Sequence, residues 1–505
     1  MTEPPQGLAQ RAARGALVTV GAQLVRVVLQ VVSVVVLARL LTPGDYGLVA
    51  MVLIVVGVGE IFRDFGLSSA AVQAPQLSNQ LRSNLFWLNT AIGALMGVVV
   101  FATSPLIAAA FGQPALGAIA RWLSVVFVIN GLTTQYRAGL TRDMRFGALG
   151  GADILCQLVG LATAIFAATA GAGYWALVIQ QIVSGVVLLL LLAFWSHWLP
   201  GRLRRTGELG PLVRFGGNLV GTQLINYLSN NVDSIVISAR FSPVQLGLYT
   251  RAFQLLMNPL SQLRSPATMV ALPVLSRLQQ DPELSGRYIR RGQIVLGYVV
   301  GPAMAVAIGA AHPLVSVLLG PQWLPAAPVL ALLAVAGLFQ TLAFVGYWIY
   351  LSRGLTASLL RFTVITATGK SAMILVGSLW GLVGVAAGYA LSHLLEWPFS
   401  LWWLSRVTPI PVRALLSGAL RITAVSAAGA AAVYGVCLAT AQLPPWVVVL
   451  AAVGTALVTT ALIGALFGAV RQDVREVFDI VRRLGRRGGA QPAVAGAGVS
   501  DGSKG

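Results

Sequence analysis

Charge is what this 505-residue chain has least of, since Asp, Glu, Lys and Arg together make up only 10% of it, against about a quarter in an ordinary soluble domain. With 57% hydrophobic residues and a mean hydropathy of +0.81, a soluble globule is excluded and an all-α, polytopic membrane protein is expected. Cysteine is nearly absent: Cys156 and Cys437 sit in separate apolar runs, which leaves neither a disulfide framework nor a thiolate metal cluster. The three histidines, His197, His312 and His393, lie on separate segments. There is no HExxH, no Ser or Cys nucleophile paired to a base and no Gly-rich phosphate loop. The sequence therefore predicts no enzyme, no metal site and no cofactor. Acids are also scarce, 15 against 34 Lys and Arg, for a net charge of +19. That imbalance would suggest nucleic acid in a soluble protein. Here twenty-seven of the 34 basic residues fall in the two tails and in alternate loops, the distribution of cytoplasmic segments, so no nucleic-acid partner is expected.

What the chain has in abundance is long apolar runs. About 20 residues of helix cross a core of ~30 Å, and fourteen such runs can be drawn. The first six lie near 15–41, 46–63, 84–111, 115–135, 152–171 and 174–196. The next six lie near 213–240, 246–273, 292–318, 327–350, 356–377 and 381–404, and a last pair near 417–441 and 446–469. The polar start and the lack of a small-residue cleavage site make the first run a spanning helix rather than a signal peptide. An even count, with arginines in every second loop, puts both termini in the cytoplasm. All loops on the opposite side are short, which leaves no room there for an external catalytic domain.

A second copy of the first hairpin returns two hundred residues on. Aligning Arg14 with Arg214 places Gly21 on Gly221, Gln23 on Gln223, Leu24 on Leu224, Pro43 on Pro243, Gly47 on Gly247 and Leu48 on Leu248 without a gap. The repeat is far too long for a solenoid, and six spans per copy give two lobes of one orientation, related by an axis along the membrane normal. The expected organisation is a cytoplasmic tail (1–14), an N-lobe (15–200), a linker (201–212), a C-lobe (213–405), two further spans (406–470) and a basic amphipathic helix with a disordered end (471–505). In that helix Val474, Val477, Phe478, Val481 and Leu484 share one face among arginines, as in a helix resting on anionic lipid. A solvated flank with no binding role is the bland alternative. Pro259, Pro266 and Pro273 recur every seven residues in the eighth span, which is expected to be bent or segmented.

Seven basic residues escape the loop pattern. Arg39, Arg121 and Arg240 lie near the outer ends of their spans, where long side chains reach the headgroups. Arg251 also lies near the outer end of its span and Arg264 near the cytoplasmic end. Arg26 and Lys370 lie deep, at a cost of at least ~2.5 kcal/mol if unpaired. The intramembrane acids are Glu60, Asp153, Asp233 and Glu396. Counting 1.5 Å per residue, Arg26 matches Glu60 in depth and Asp233 matches Arg251. Such pairs are either structural or part of a hydrated cavity with gating or ion-coupling roles. Asn226, Asn230 and Asn231, with Gln23 and Gln223, supply hydrogen bonds suited to sugar hydroxyls, and Asn84, Asn89, Asn130, Gln135 and Gln157 do so in the first lobe.

The stretches Leu40-Leu41-Thr42-Pro43-Gly44-Asp45-Tyr46-Gly47, Tyr136-Arg137-Ala138, Arg142-Asp143-Met144-Arg145-Phe146, Gly173-Tyr174-Trp175-Ala176-Leu177-Val178, Val232-Asp233-Ser234-Ile235-Val236-Ile237, Leu246-Gly247-Leu248-Tyr249-Thr250-Arg251-Ala252 and Leu272-Pro273-Val274-Leu275-Ser276-Arg277 carry a resemblance in their order and spacing. The chain resembles the polysaccharide transporter (Wzx-type flippase) family of the multidrug/oligosaccharidyl-lipid/polysaccharide exporter superfamily over about residues 10–470. The resemblance implies a bacterial inner-membrane protein that moves an undecaprenyl-pyrophosphate-linked oligosaccharide outward by alternating access, beside polysaccharide polymerase and export machinery. It further implies a groove for the lipid tail at the last two helices. Under this reading Arg26, Arg264 and Lys370 attract the pyrophosphate, the Asn and Gln residues hold the glycan, and Glu60 or Asp233 carries H⁺ or Na⁺ as coupling ion. A drug/cation antiporter of the same superfamily, or a membrane-embedded polysaccharide-assembly enzyme, are the rival expectations.

Overall fold

The computed structural model describes residues 6–64, 78–203 and 209–487, with side chains from 21 to 63, 78 to 203 and 220 to 479 except 263 and 265, and at 482. The described residues form α-helices and short 3-10 turns without a strand. The first lobe contains α1 (Gln6–Leu40), α2 (Pro43–Asp64), α3 (Asn79–Ala110), α4 (Ala115–Arg142), α5 (Phe146–Thr169) and α6 (Trp175–Ser196). The second contains α7 (Leu209–Asn230), α8 (Val232–Arg240), α9 (Pro243–Arg277), α10 (Pro282–Gly309), α11 (Ala311–Leu318), α12 (Ala327–Ser352), α13 (Thr356–Gly377) and α14 (Gly381–Val407). After these come α15 (Val412–Ala439), α16 (Pro445–Leu466) and α17 (Gly468–Arg487). The disordered end expected from Gly488, and most of the expected linker, lie outside the described residues.

Among the described residues eleven stretches are long and apolar enough to cross a membrane, one of them, Thr356–Val407, being the α13–α14 hairpin. The count departs from fourteen because that hairpin enters once, because α7 has described side chains only from residue 220, and because the prolines, Arg251, Arg264 and amide side chains of α9 keep its hydropathy low. Outward-facing Leu106, Phe166, Phe194 and Leu462 are exposed, as lipid-facing residues are and as a soluble surface of this extent is not. The chain is a multi-pass membrane protein. Below, the terminal face is the one where α1 starts, and the distal face is the one where α1 ends.

The repeat is visible as reciprocal packing at the distal face. Thr42 and Asp45 cap α2 by mutual bonds, Asp45 accepting from the Thr42 amide at 2.9 Å and Thr42 from the Asp45 amide at 3.3 Å. Ser242 and Gln245 form the corresponding capping box on α9. The two helix starts then cross so closely that a Cβ on Gly47 would lie 1.6 Å from the Pro243 carbonyl oxygen, and one on Gly247 would lie 1.9 Å from that of Pro43. Residue i of one lobe meets j of the other and j meets i, the mark of a two-fold axis. Gly is required at both positions by backbone approach.

Around this crossing the distal face is sealed between lobes. The Trp323 indole donates to the Ala38 carbonyl at 2.7 Å, and the Gln322 amide donates to the carbonyls of Ala38 (2.8 Å) and Leu41 (3.1 Å). Arg39 donates across the seam to the Val317 carbonyl; within the lobes, Arg240 donates to the Ser378 hydroxyl at 2.8 Å and Arg121 to the Ser104 hydroxyl at 3.2 Å. Toward the terminal face contact between lobes is sparser: the Gln23 amide donates to Gln262, and the Tyr227 hydroxyl donates to the Ile54 carbonyl at 3.0 Å.

Two helices differ from expectation. The prolines at 259, 266 and 273 lie inside a single assigned helix, α9, so that span is not segmented. The break falls instead at Asn231, between α7 and α8, where the Asn231 side chain joins its own amide in donating to the Tyr227 carbonyl (2.9 and 3.0 Å). Such local side-chain bonds compete with helix continuation. In the first lobe α1 runs unbroken through the equivalent positions.

Candidate functional site

A cavity of about 610 Å³ lies inside the second lobe, walled by α7, α9, α12, α13 and α14. Helix α9 contributes Phe253, Met257, Asn258, Ser261 and Arg264, a 4-1-3-3 progression that keeps them on one face. Helix α7 brings Asn226 and Asn230, with Asn231 at the break; α12 brings Gln340 and Tyr347, α13 Lys370, and α14 Tyr389, His393 and Glu396. The Arg264 guanidinium donates to Gln340 Oε1 at 2.7 Å and lies 5.4 Å from the Phe344 ring centre. The His393 imidazole is 2.7 Å from Glu396 through Nδ1. Lys370 stands within electrostatic reach of both Asp233 and Glu396, which offsets part of the ~2.5 kcal/mol or more that an isolated cation at this depth would cost. Counted from the distal start of α9, Phe253 and Arg264 lie roughly 15 and 31 Å deep, so the cavity reaches from mid-membrane to the terminal face.

A second space of about 270 Å³ adjoins it on the seam between lobes, lined by Leu53 and Ile54 of α2 and by Tyr227, Asp233 and Gln254. Asn230, Asn231, Phe253 and Asn258 border both. On the other side of α9 lies an apolar groove of about 580 Å³ whose walls include Val31 of α1, Leu256, Pro259 and Leu260 of α9, Met304 of α10 and Val453 and Leu457 of α16. Of the last two spans only α16 contributes to it. One helix thus separates a polar chamber from an apolar channel.

The deep charges are paired differently from the depth count. Arg26 is held by Asp153 of α5 at 2.7 Å and bonds Gln23, while Arg137 grips the other oxygen of Asp153 at 2.5 Å. Glu60, its expected partner, instead accepts from Arg63 at 2.6 Å and from Asn130 at 2.9 Å. Asp233 accepts from the Tyr249 hydroxyl at 2.7 Å and the Ser234 amide at 2.8 Å. Arg251, its expected partner, lies over the Tyr46 ring, 3.4 Å from the centroid, and Tyr46 meets Trp323 edge-on at 5.5 Å. Arg251 therefore belongs to the distal seal. The reason in each case is azimuth: equal depth does not put two side chains on facing sides of their helices.

The structure accordingly gathers Arg264, Lys370, Glu396, Asn226, Asn230 and Asn231 in one chamber, with Asp233 in the adjoining space. It leaves Arg26, Asp153 and Glu60 in first-lobe clusters, and Gln23 on the seam with Gln262; Gln223 lines neither cavity. Asn84, Asn89 and Gln135 are buried within the first lobe, and Asn130 serves Glu60. Sequence reasoning missed Gln340, Tyr347 and Tyr389. It also missed Asn258 and Ser261, though their helical spacing with Arg264 was readable, and the i, i+3 pairing of His393 with Glu396, an acid named from sequence.

The description "Polysaccharide biosynthesis protein" belongs to the family profile that matches residues 36–328. The chain is 25% identical to the lipopolysaccharide biosynthesis protein WzxC of Escherichia coli (strain K12), over 73% of this chain and 75% of that one. It is 26% identical to the teichuronic acid biosynthesis protein TuaB of Bacillus subtilis (strain 168), over 75% and 80%, and 28% identical to the succinoglycan biosynthesis transport protein ExoT of Rhizobium meliloti (strain 1021), over 61% and 62%. Among solved structures, the lipid II flippase MurJ in an inward closed conformation superposes with a TM-score of 0.66 at 14% identity, covering 89% of this chain and 98% of that one. An inward-facing multidrug resistance MATE family transporter of the MOP superfamily superposes at 0.59 and 16%, covering 80% and 99%. These likenesses fix the fold.

Proposed function

The chain belongs to the polysaccharide biosynthesis protein family, and from that premise we propose that it is a secondary transporter that flips an undecaprenyl-pyrophosphate-linked oligosaccharide from the cytoplasmic to the outer leaflet of the bacterial inner membrane. The terminal face is then cytoplasmic, in keeping with the arginine distribution. The observation that carries the reading is the chamber whose wall holds both Arg264 and Lys370 among Asn226, Asn230, Asn231 and Asn258. Two cations suit a pyrophosphate, and a ring of amides suits sugar hydroxyls. A volume of about 610 Å³ falls in the usual range for bound small ligands. The relatives' names, which speak of lipopolysaccharide, teichuronic acid and succinoglycan biosynthesis, support an oligosaccharide cargo.

The polyprenyl tail suits the apolar groove beyond α9. An amphiphile with its headgroup in the chamber and its tail in the groove straddles α9, beside the gap between α1 and α9 that Gln23 and Gln262 bridge. With the distal seal intact, the headgroup enters from the terminal face, and breaking the Trp323 and Arg251 contacts while the terminal face closes releases it on the other side. Uphill movement draws on the membrane potential, since one charge crossing 100 mV yields ~2.3 kcal/mol. We assign the coupling H⁺ or Na⁺ to Asp233 or Glu396, which both lie near Lys370, rather than to Glu60, which pairs with Arg63. A drug/cation antiporter would favour acids over cations in this chamber.

Proteoliposomes loaded with a polyprenyl-pyrophosphate-linked disaccharide, and probed from outside with an impermeant lectin, test the proposal. Each lost charge-assisted bond is worth about 1.5 to 3 kcal/mol, so Arg264→Gln and Lys370→Met should each slow transfer roughly ten- to hundredfold. Transfer at the wild-type rate in both variants would overturn it.

A further inference from the structure

We infer that α17 is a strap that docks on anionic phospholipid headgroups through an exposed arginine stripe that runs beside the side packed on the protein. That packed side is held by Val470, which is buried, and by Val474 and Val477, which pack against the main core. Beside them Asp473, 1% exposed, accepts from Arg421 at 2.8 Å and faces Arg290 at 3.5 Å, and Glu476 pairs with Arg291 at 2.9 Å. These ion pairs clamp the strap to the terminal ends of α10 and α15. Of the face read from sequence as lipid-seeking, Val474 and Val477 are therefore packed on the protein, while Phe478 is exposed.

A second stripe remains. Arg471, Arg475, Phe478 and Arg482 follow at 4-3-4 spacing, which keeps them on one side of a helix, and all four are exposed, Phe478 to 70%. Arg471 also donates to the last carbonyls of α16, Gly464 at 3.3 Å and Ala465, so the strap begins within one turn of the spanning helix. Leu466 and Phe467, just before it, are exposed lipid-facing side chains. The stripe is thus held at the membrane boundary, where guanidinium groups meet phosphates and a phenyl ring enters the acyl border. Asp479 lies at the margin of the stripe, and the other described acids of the helix, Asp473 and Glu476, are turned into the clamp. Charge complementarity selects an anionic leaflet over a zwitterionic one, at a gain of about fivefold per arginine near the surface. The inference is independent of the cargo.

Amide hydrogen exchange over residues 468–479 of the full chain tests it, in nanodiscs of phosphatidylcholine alone and with phosphatidylglycerol added. The expected result is exchange slowed about tenfold or more by the anionic lipid, with the gain removed by high salt. In Arg475→Gln/Arg482→Gln the lipid-dependent gain should vanish while exchange in pure phosphatidylcholine stays as in the parent, because the Asp473 and Glu476 clamp is untouched. Equal exchange in both lipids overturns the inference. So does a variant that loses protection in phosphatidylcholine as well, since the stripe is then structural, and so does protection that rises with a second copy per disc.

Discussion

The reciprocal crossing of α2 and α9 makes a quantitative prediction. Alanine at position 47 puts a Cβ 1.6 Å from the Pro243 oxygen, and real Cβ contacts are not found under 3.0 Å. The two helix starts must then part by about 1.4 Å, an overpacking that costs ~1 to 3 kcal/mol. The distal-closed state bears that cost, and a state in which the lobes separate at this face does not. The equilibrium therefore moves toward the distal-open state by roughly 5- to 150-fold. Spin labels on cysteines placed at the exposed distal positions Thr169 and Leu379, with Cys156 and Cys437 replaced by Ala, report the separation of the lobes by pulsed dipolar spectroscopy. Gly47→Ala and Gly247→Ala should each enlarge a longer-distance population, and to a similar extent, because a Cβ on Gly247 meets Pro43 almost as closely. An unchanged distribution with an unchanged melting temperature, or a response in one variant only, would refute the two-fold crossing and its role in the seal.

Further outcomes follow from the charge clusters. Asp153→Asn leaves Arg26 and Arg137 facing each other without a counter-charge; because both guanidiniums are partly exposed, the loss is about 1 to 2 kcal/mol rather than the full cost of a buried pair, measurable as a lowered melting temperature. Asp233→Asn should make transport insensitive to collapse of the proton and sodium gradients, while Glu60→Gln, whose parent carboxylate is taken by Arg63 and Asn130, should keep that sensitivity. Identical responses of the two variants in the flux assay would count against Asp233 as the coupling group.

The sequence made the scaffold legible and the site only in part. The duplicated hairpin was readable because the two-fold crossing needs the same small residues and caps at 43–47 and 243–247. Residues at the chamber wall were partly readable because the polar side chains of α9 recur at helical spacing in an apolar run. Pairing was not readable. A rise of 1.5 Å per residue gives the depth of Arg26 and Glu60 but not the direction in which each points, and α5 rather than α2 presented the acid. Arg251 escaped for a related reason: its partner is the face of an aromatic ring, Tyr46, which no search for opposite charges finds. The apolar face of α17 was correctly periodic, yet periodicity does not distinguish burial against protein from burial in lipid.

The account rests on the chamber of the second lobe receiving the cargo's headgroup. A polyprenyl-pyrophosphate analogue with a photoreactive group on its first sugar, activated on the protein in nanodiscs and mapped by mass spectrometry, tests this directly. Adducts on α7, α9 and α13, around Asn226, Asn258 and Thr366, are predicted, and they should be lost in Arg264→Gln/Lys370→Met. Adducts confined to the first lobe around Arg26 and Asp153, or adducts in the chamber that persist in the double variant, would contradict it.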